Sequence, residues 1–219
     1  MLPTRIDDLS LLSAAGFGCL VGAAMRNLAA LNHYYILQRS LKDPIPGGER
    51  FPGVAGLWKA TEEDMERMTS TLRSLDPESR RELLSRILFY RCGFRNCHVA
   101  KSRSGEIAYI QWLIYPKENS VIAKHFRRRF RPLREREVML ENGFTFPRYR
   151  GLGILRNATL RLMGTAREEG YDWAIAYIKK ERIIPLNEFL GMGFKITRIL
   201  SEYKLAGFVT RNLDRPSRG

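Results

Sequence analysis

Apolar positions along the 219-residue chain change period several times, and each change predicts an element. In DPESRRELLSRILFY (76–90), Leu83, Leu84, Ile87 and Leu88 recur at helical spacing and predict an amphipathic helix. Asp76 is placed to cap it, with Pro77 at its first position. Just before it, TEEDMERMTSTLRSL (61–75) gathers acids in its first turn, as a helix N-terminus prefers. Thr61 and Asp64 form a weaker version of the capping box there. Leu155, Ala158, Leu162 and Ala166 repeat the helical spacing in ILRNATLRLMGTAREEG (154–170), and Gly170 stands at a C-terminal cap position. A shorter helix, PLNEFLGMG (185–193), stops at glycine.

Between these segments the pattern reads as strands. GLWKAT (56–61) is short. CHVAKS and EIAYIQWLIYP flank a turn ending in Gly105 and predict a β-hairpin over 97–116. VMLENGFTFP (138–147) follows, with Gly143 marking a bulge or a close backbone approach. YDWAIAYI (171–178) reads as a buried strand, and FKITRILSEYKLAGFV (194–209) as one or two more. Residues 1–43, rich in Leu and Ala, read as mostly helical. DPIPGGERFPG (43–53) reads as a linker. The expected division is an N-terminal helical extension over 1–45 and a main domain over 55–212. The element order fits a mixed α/β (α+β) plan with no internal repeat.

Charge adds a constraint on partners. The net charge is +14, from 37 Lys and Arg against 23 Asp and Glu. That balance favours an anionic partner: nucleic acid, an acidic membrane surface, or a coenzyme. Residues 124–137 hold seven Lys and Arg against two Glu, with Phe126 and Phe130 interleaved. Such a segment can stack and neutralise single-stranded nucleic acid. It can equally be a solvated loop, a rim that attracts an acidic ligand, or a helix anchored by its aromatics. The apolar run 11–25 lacks the positive flank of a signal peptide and is shorter than a membrane span. It reads as a buried helix, and the chain as a cytoplasmic protein without a transmembrane segment. Three cysteines do not make a disulfide framework. Cys92, Cys97 and His98 lack a second ligand pair, and His33, His98 and His125 show no metal spacing, so no metal is expected.

The candidate chemistry lies in FPRYRGLGILRNATLRLMG (146–164). Two glycines precede a helix, whose free amides and dipole favour an anion. Arg150 adds charge. The full dinucleotide fingerprint fails at Arg156, and no P-loop Lys-Ser/Thr follows.

The wider string resembles the GCN5-related N-acetyltransferases (GNAT). Pro147, Tyr149, Arg150, Gly151, Gly153, Ile154, Phe189, Gly193 and Phe194 stand at that superfamily's familiar positions. The resemblance covers about 55–209 and implies a mostly antiparallel sheet flanked by helices. It implies acetyl- or acyl-CoA as cosubstrate, with its pyrophosphate on the backbone of Arg150, Gly151, Leu152, Gly153, Ile154 and Leu155. The pantetheine arm would bond the backbone of Phe144, Thr145 and Phe146. Arg148 also matches the arginine of the signature as a string; the surrounding context favours Arg150, and leaves Leu155 where the family prefers a small residue. The family's proton-donating tyrosine is replaced by Phe189, and its preceding asparagine by Arg182.

Glu141 is the candidate base, and Tyr177 and Tyr203 are candidate acids. The expected function is acetyl transfer from acetyl-CoA to a small amine or amino sugar by direct attack, in a protein that can dimerise. Two alternatives stand beside it: a non-enzymatic basic module binding nucleic acid through 124–136 or an acidic protein, and an acyl carrier protein as donor.

Overall fold

The computed structural model describes residues 29–46, 53–126, 129–205 and 208–214. Eight strands form one sheet in it: β1 (Ala29–Ser40), β2 (Val54–Lys59), β3 (Cys97–Ser102), β4 (Ile107–Ile114), β5 (Glu137–Thr145), β6 (Trp173–Lys179), β7 (Lys195–Leu205) and β8 (Phe208–Asp214). Their order is β2-β3-β4-β5-β6-β1-β7-β8. Every neighbouring pair is antiparallel except β5 and β6. The expected class, a mixed and mostly antiparallel sheet flanked by helices, is the one found.

Four helices cover the two faces: α1 (Glu62–Thr71), α2 (Pro77–Arg91), α3 (Ile154–Glu168) and α4 (Ile183–Gly191). Their ends follow local chemistry. Thr61 Oγ1 accepts from Asp64 N while the Asp64 carboxylate accepts from Thr61 N, a complete capping box. Asp76 accepts from the amides of Glu78 and Ser79, with Pro77 at the first helical position. On one face, Met65, Met68, Leu72, Leu83 and Ile87 pack against Trp112, Ile114 and Ile175. On the other, Leu160, Leu162, Met163, Leu186 and Phe189 pack against Leu37, Leu113 and Ala176. Leu88 departs from the expected stripe: it is 39% exposed, and α2 buries Leu83, Ile87 and Tyr90 instead.

The N-terminal reading needs correction. Residues 29–40, assigned above to a helical extension, are β1, which sits inside the sheet and bonds β6 on one edge and β7 on the other. Its side chains alternate: Tyr34 and Ile36 enter one core layer, Leu37 the other. A strand buried on both faces becomes a continuous apolar run such as YYIL, which periodicity cannot tell from a buried helix. The 11–25 run and residues 47–52 of the linker lie outside the described residues. Among the described residues no helix is long and apolar enough to cross a membrane.

The basic segment divides. Residues 116–126 form short helical turns. Phe130 is 2% exposed, and Phe126 is half-buried and stacked on it at 5.6 Å. These aromatics anchor the segment to the core and are not presented for base stacking.

Candidate active site

Strand β5 builds the site by leaving its partner. It pairs with β6 only over Glu137↔Trp173 to Met139↔Ile175, while its other edge stays bonded to β4 as far as Tyr109↔Thr145. A bulge places Asn142 and Gly143 opposite the single residue Gln111. Asn142 takes φ +56°, a left-handed backbone that asparagine tolerates better than most side chains. Gly143 is required for a different reason. A Cβ there would sit 2.7 Å from Tyr109 Oη. Gly143 is thus both the bulge and the close approach that its position suggested.

The separation opens a cleft of about 350 Å³. Leu155 and Phe189 line it from the α3/α4 layer; Arg86 and Tyr34 line it from the α1/α2 side, so the opening reaches both faces. Glu141 stands in its wall with its Oε2 accepting from Asn142 N at 2.9 Å. Burial pushes the Glu141 carboxyl up to about 7, against the opposing effects of the Asn142 amide, Arg129 and Arg86. Arg86 lies on α2, donating to Gly143 O at 3.2 Å and to Glu82 O at 2.8 Å. Burial lowers its guanidinium to about 10, and its Nε has no partner. Arg129 donates to Tyr34 Oη at 3.4 Å. Tyr177, on β6, also lines the cleft, and its hydroxyl is held protonated by burial. Arg182, just before α4, pairs with Glu82 of α2.

The glycine turn leads from β5 to α3. Pro147–Tyr149 make one helical turn, then Gly151 at φ +80° and Gly153 at φ +65° reverse the chain. Neither glycine is crowded: no atom lies within 4 Å of a Cβ at Gly151, and only Asn157 Nδ2 at 3.9 Å at Gly153. The left-handed backbone, not space, selects them. Gly153 caps α3 without a side-chain bond, and the first turn of α3 carries no acid. Among the described residues no group engages the amides of Gly151, Leu152 and Gly153. The positive end of α3 is therefore left open to an anion.

The two candidate arginines diverge. Arg148 pairs with Glu106 of the β3–β4 hairpin at 3.1 Å. Arg150 turns back, donating to Ser79 Oγ at 3.2 Å and Thr145 O at 3.4 Å, and so ties the turn to the start of α2. Leu155 is half-buried and reaches the cleft, while Leu152 is 38% exposed and Ile154 buried. Phe144 and Phe146 bury their rings edge-to-face at 5.1 Å, and the Phe146 amide donates to Ala108 O of β4 at 3.0 Å.

Glu141, Tyr177 and Leu155 therefore share one cleft, and Tyr203 does not. Tyr203 is 49% exposed on β7 and absent from the lining. Arg86, Arg129 and Tyr34 escaped the sequence reading. Arg86 lies on a helix that read as structural, and Tyr34 on a segment that read as helical. Cys97 is fully buried and Cys92 half-buried; burial pushes His98 down to about 4. Among the described residues no three His, Cys, Asp or Glu converge on a metal position.

No family model and no curated protein matches the chain. Solved structures do. An acetyltransferase from the GNAT family of Novosphingobium aromaticivorans aligns at TM-score 0.51 and 15% identity, over 86% of this chain and 66% of that one. A GCN5-related N-acetyltransferase from Sphaerobacter thermophilus aligns at 0.56 and 13%, over 91% and 57%. The GCN5-related glucosamine N-acetyltransferase region of a fungal multi-domain GH3 β-N-acetylglucosaminidase aligns at 0.60 and 11%, over 88% and 22%. The chain spans less than two thirds of each of these chains. At such identities the likeness establishes the fold: this chain has the GNAT acetyltransferase fold.

Proposed function

We propose that the protein is an acyl-CoA-dependent acyltransferase that moves an acetyl group from acetyl-CoA to a small amine by direct attack. One observation carries the reading. Strand β5 separates from β6 beside a half-buried carboxylate, and Leu155, in the first turn of the helix that the open amides of 151–153 precede, lines the same opening. The turn would hold the coenzyme's pyrophosphate. The free edge of β5 would align the pantetheine arm. Positioning two substrates in one cleft supplies a large part of the acceleration.

Glu141 acts as the base. A carboxyl at about 7 is both charged and basic enough near neutral pH to take the amine's proton. The nitrogen then forms the C–N bond, the C–S bond breaks, and the electron pair leaves on sulfur. Tyr177, kept protonated by burial, returns a proton to that sulfur. Arg129 brings positive charge to a site where negative charge develops, whereas Arg86 is paired with Glu82 at 2.9 Å. Tyr203 has no part in this step. Phe189 packs on Phe194 at 4.9 Å and contributes a wall, not a proton.

Phe189 also favours a second reading, a non-enzymatic binding module on the same fold. Thiol release from acetyl-CoA over a panel of amines and amino sugars separates the two. Acceptor-dependent release that is lost in Glu141→Gln supports transfer. Coenzyme binding with no acceptor-dependent release supports the module.

A further inference from the structure

A second cavity, of about 480 Å³, lies on the α1/α2 side of the sheet, beside residues 129–134 and above β6, β1 and β7. Its floor is apolar: Ile36, Ile175 and Leu200. Its rim is cationic: Arg129, Arg131, Arg134 and Arg198. Among the described residues no Asp or Glu lines it. The nearest compensation is Glu137, which takes both terminal nitrogens of Arg131 at 2.6 and 2.9 Å and lies 3.9 Å from Arg134. Arg129 is engaged with the neutral Tyr34 hydroxyl. Arg198 is exposed on β7, and no partner for it is found among the described residues. Four guanidinium groups thus surround a hollow, with Glu137 behind Arg131 and Arg134 and Glu141 acting on Arg129 from the neighbouring cleft.

Like charges around a cavity repel unless a ligand neutralises them. Guanidinium groups are suited to planar or tetrahedral oxyanions, which they grip with paired donors. The volume is that of a small-molecule site. The cavity adjoins the Glu141 cleft, because Arg129 and Tyr177 line both. The glycine turn leads into α3, which packs on the opposite face, so the two substrates would meet at the gap between β5 and β6.

We infer that the arginine-rimmed cavity seats an anionic group of the acceptor, a carboxylate or phosphate on an apolar stem, and leaves the acceptor's amine toward Glu141. This rests on the acyltransferase reading and narrows its acceptor class. Arg198 and Arg134 are the specificity-determining residues, since Arg131 is committed to Glu137.

The test uses the full chain and two readouts. The first is acetylation of aminoalkyl carboxylates of two to eight carbons, matching aminoalkyl phosphates, and the neutral methyl esters of the carboxylates. One anionic series should exceed the esters in kcat/KM by at least about tenfold, the scale of a charge-assisted bond. Whichever series leads identifies the oxyanion. Arg198→Gln should bring that ratio close to one, while the melting-temperature shift with acetyl-CoA persists and reports an intact fold. Esters that match or exceed both anionic series overturn the inference.

The second readout needs no turnover. Hexanoate and hexyl phosphate, which lack an amine, should raise the melting temperature of the wild type but not of Arg198→Gln or Arg134→Gln. No shift with either probe, in a protein that acetyl-CoA does stabilise, overturns the anion pocket alone. No shift with acetyl-CoA removes the acyltransferase reading, and the acceptor assignment falls with it.

Discussion

The two walls of the cleft are built in opposite ways. Strand β6 is bonded to β1 from Tyr34↔Lys179 through Ser40↔Trp173, and β1 is bonded in turn to β7. Strand β5 keeps one paired edge and carries the bulge, the left-handed Asn142, the crowded Gly143 and the perturbed Glu141. One wall is a frame made by long-range pairing. The other is an irregular edge made by local sequence. Such an arrangement holds the Glu141 carboxyl half out of water without letting the gap collapse.

The largest effect is expected at Glu141. Glu141→Gln should lower kcat/KM by roughly 10²- to 10⁴-fold, the usual contribution of a general base. The wild-type profile should rise with pH through about 7, and that limb should vanish in the variant. The frame should respond in stability. Leu37 on β1 is fully buried, and Leu37→Ala should cost about 3 kcal/mol in urea unfolding. A small loss there would mean that β1 is an accessory strand.

Next in size is the electrostatic cost of the irregular wall. Folding raises the Glu141 pKa from 4.5 to about 7, so the folded state holds the proton more tightly than the unfolded chain. Stability from this group therefore falls as pH rises from about 4.5 to 7, and the penalty is complete above 7. Glu141→Gln should be more stable than the wild type by about 3 kcal/mol at pH 9. The gap should close below pH 4. Equal stability at both pH values would place Glu141 in water.

Gly143→Ala should cost about 2 kcal/mol through overlap with Tyr109 Oη, and Tyr109→Phe should recover part of it. The smallest effect belongs to the turn. Gly153→Ala meets no obstruction and pays only for its left-handed backbone, about 1 kcal/mol by thermal melting.

The irregular wall was also the legible one. Turn and bulge signals are local, and Gly143, Gly151 and Gly153 announce them by residue type, as Thr61 and Asp76 do for the caps of α1 and α2. Glu141 could be nominated because it lies on the strand entering the turn. The frame was not legible. YYIL in β1 carries no sign of which strands it will separate, and its Leu- and Ala-rich surroundings favour a helix by propensity. Tyr34 was lost with it. Arg86 was hidden because burial of a helical arginine depends on where β5 places Gly143 O, a contact across 57 positions. The acceptor-side arginines come from β7 and from 129–134, distant in sequence and joined only by the sheet order.

The most direct measurement is the melting temperature with acetyl-CoA. A ligand that binds the folded state at about 100 times its dissociation constant adds about 2.7 kcal/mol. The account predicts a clear, saturable rise, lost in Arg150→Glu, which puts a negative charge at the open end of α3 and removes the tie to Ser79. An unchanged melting temperature at coenzyme concentrations ~100-fold above micromolar affinity would contradict it.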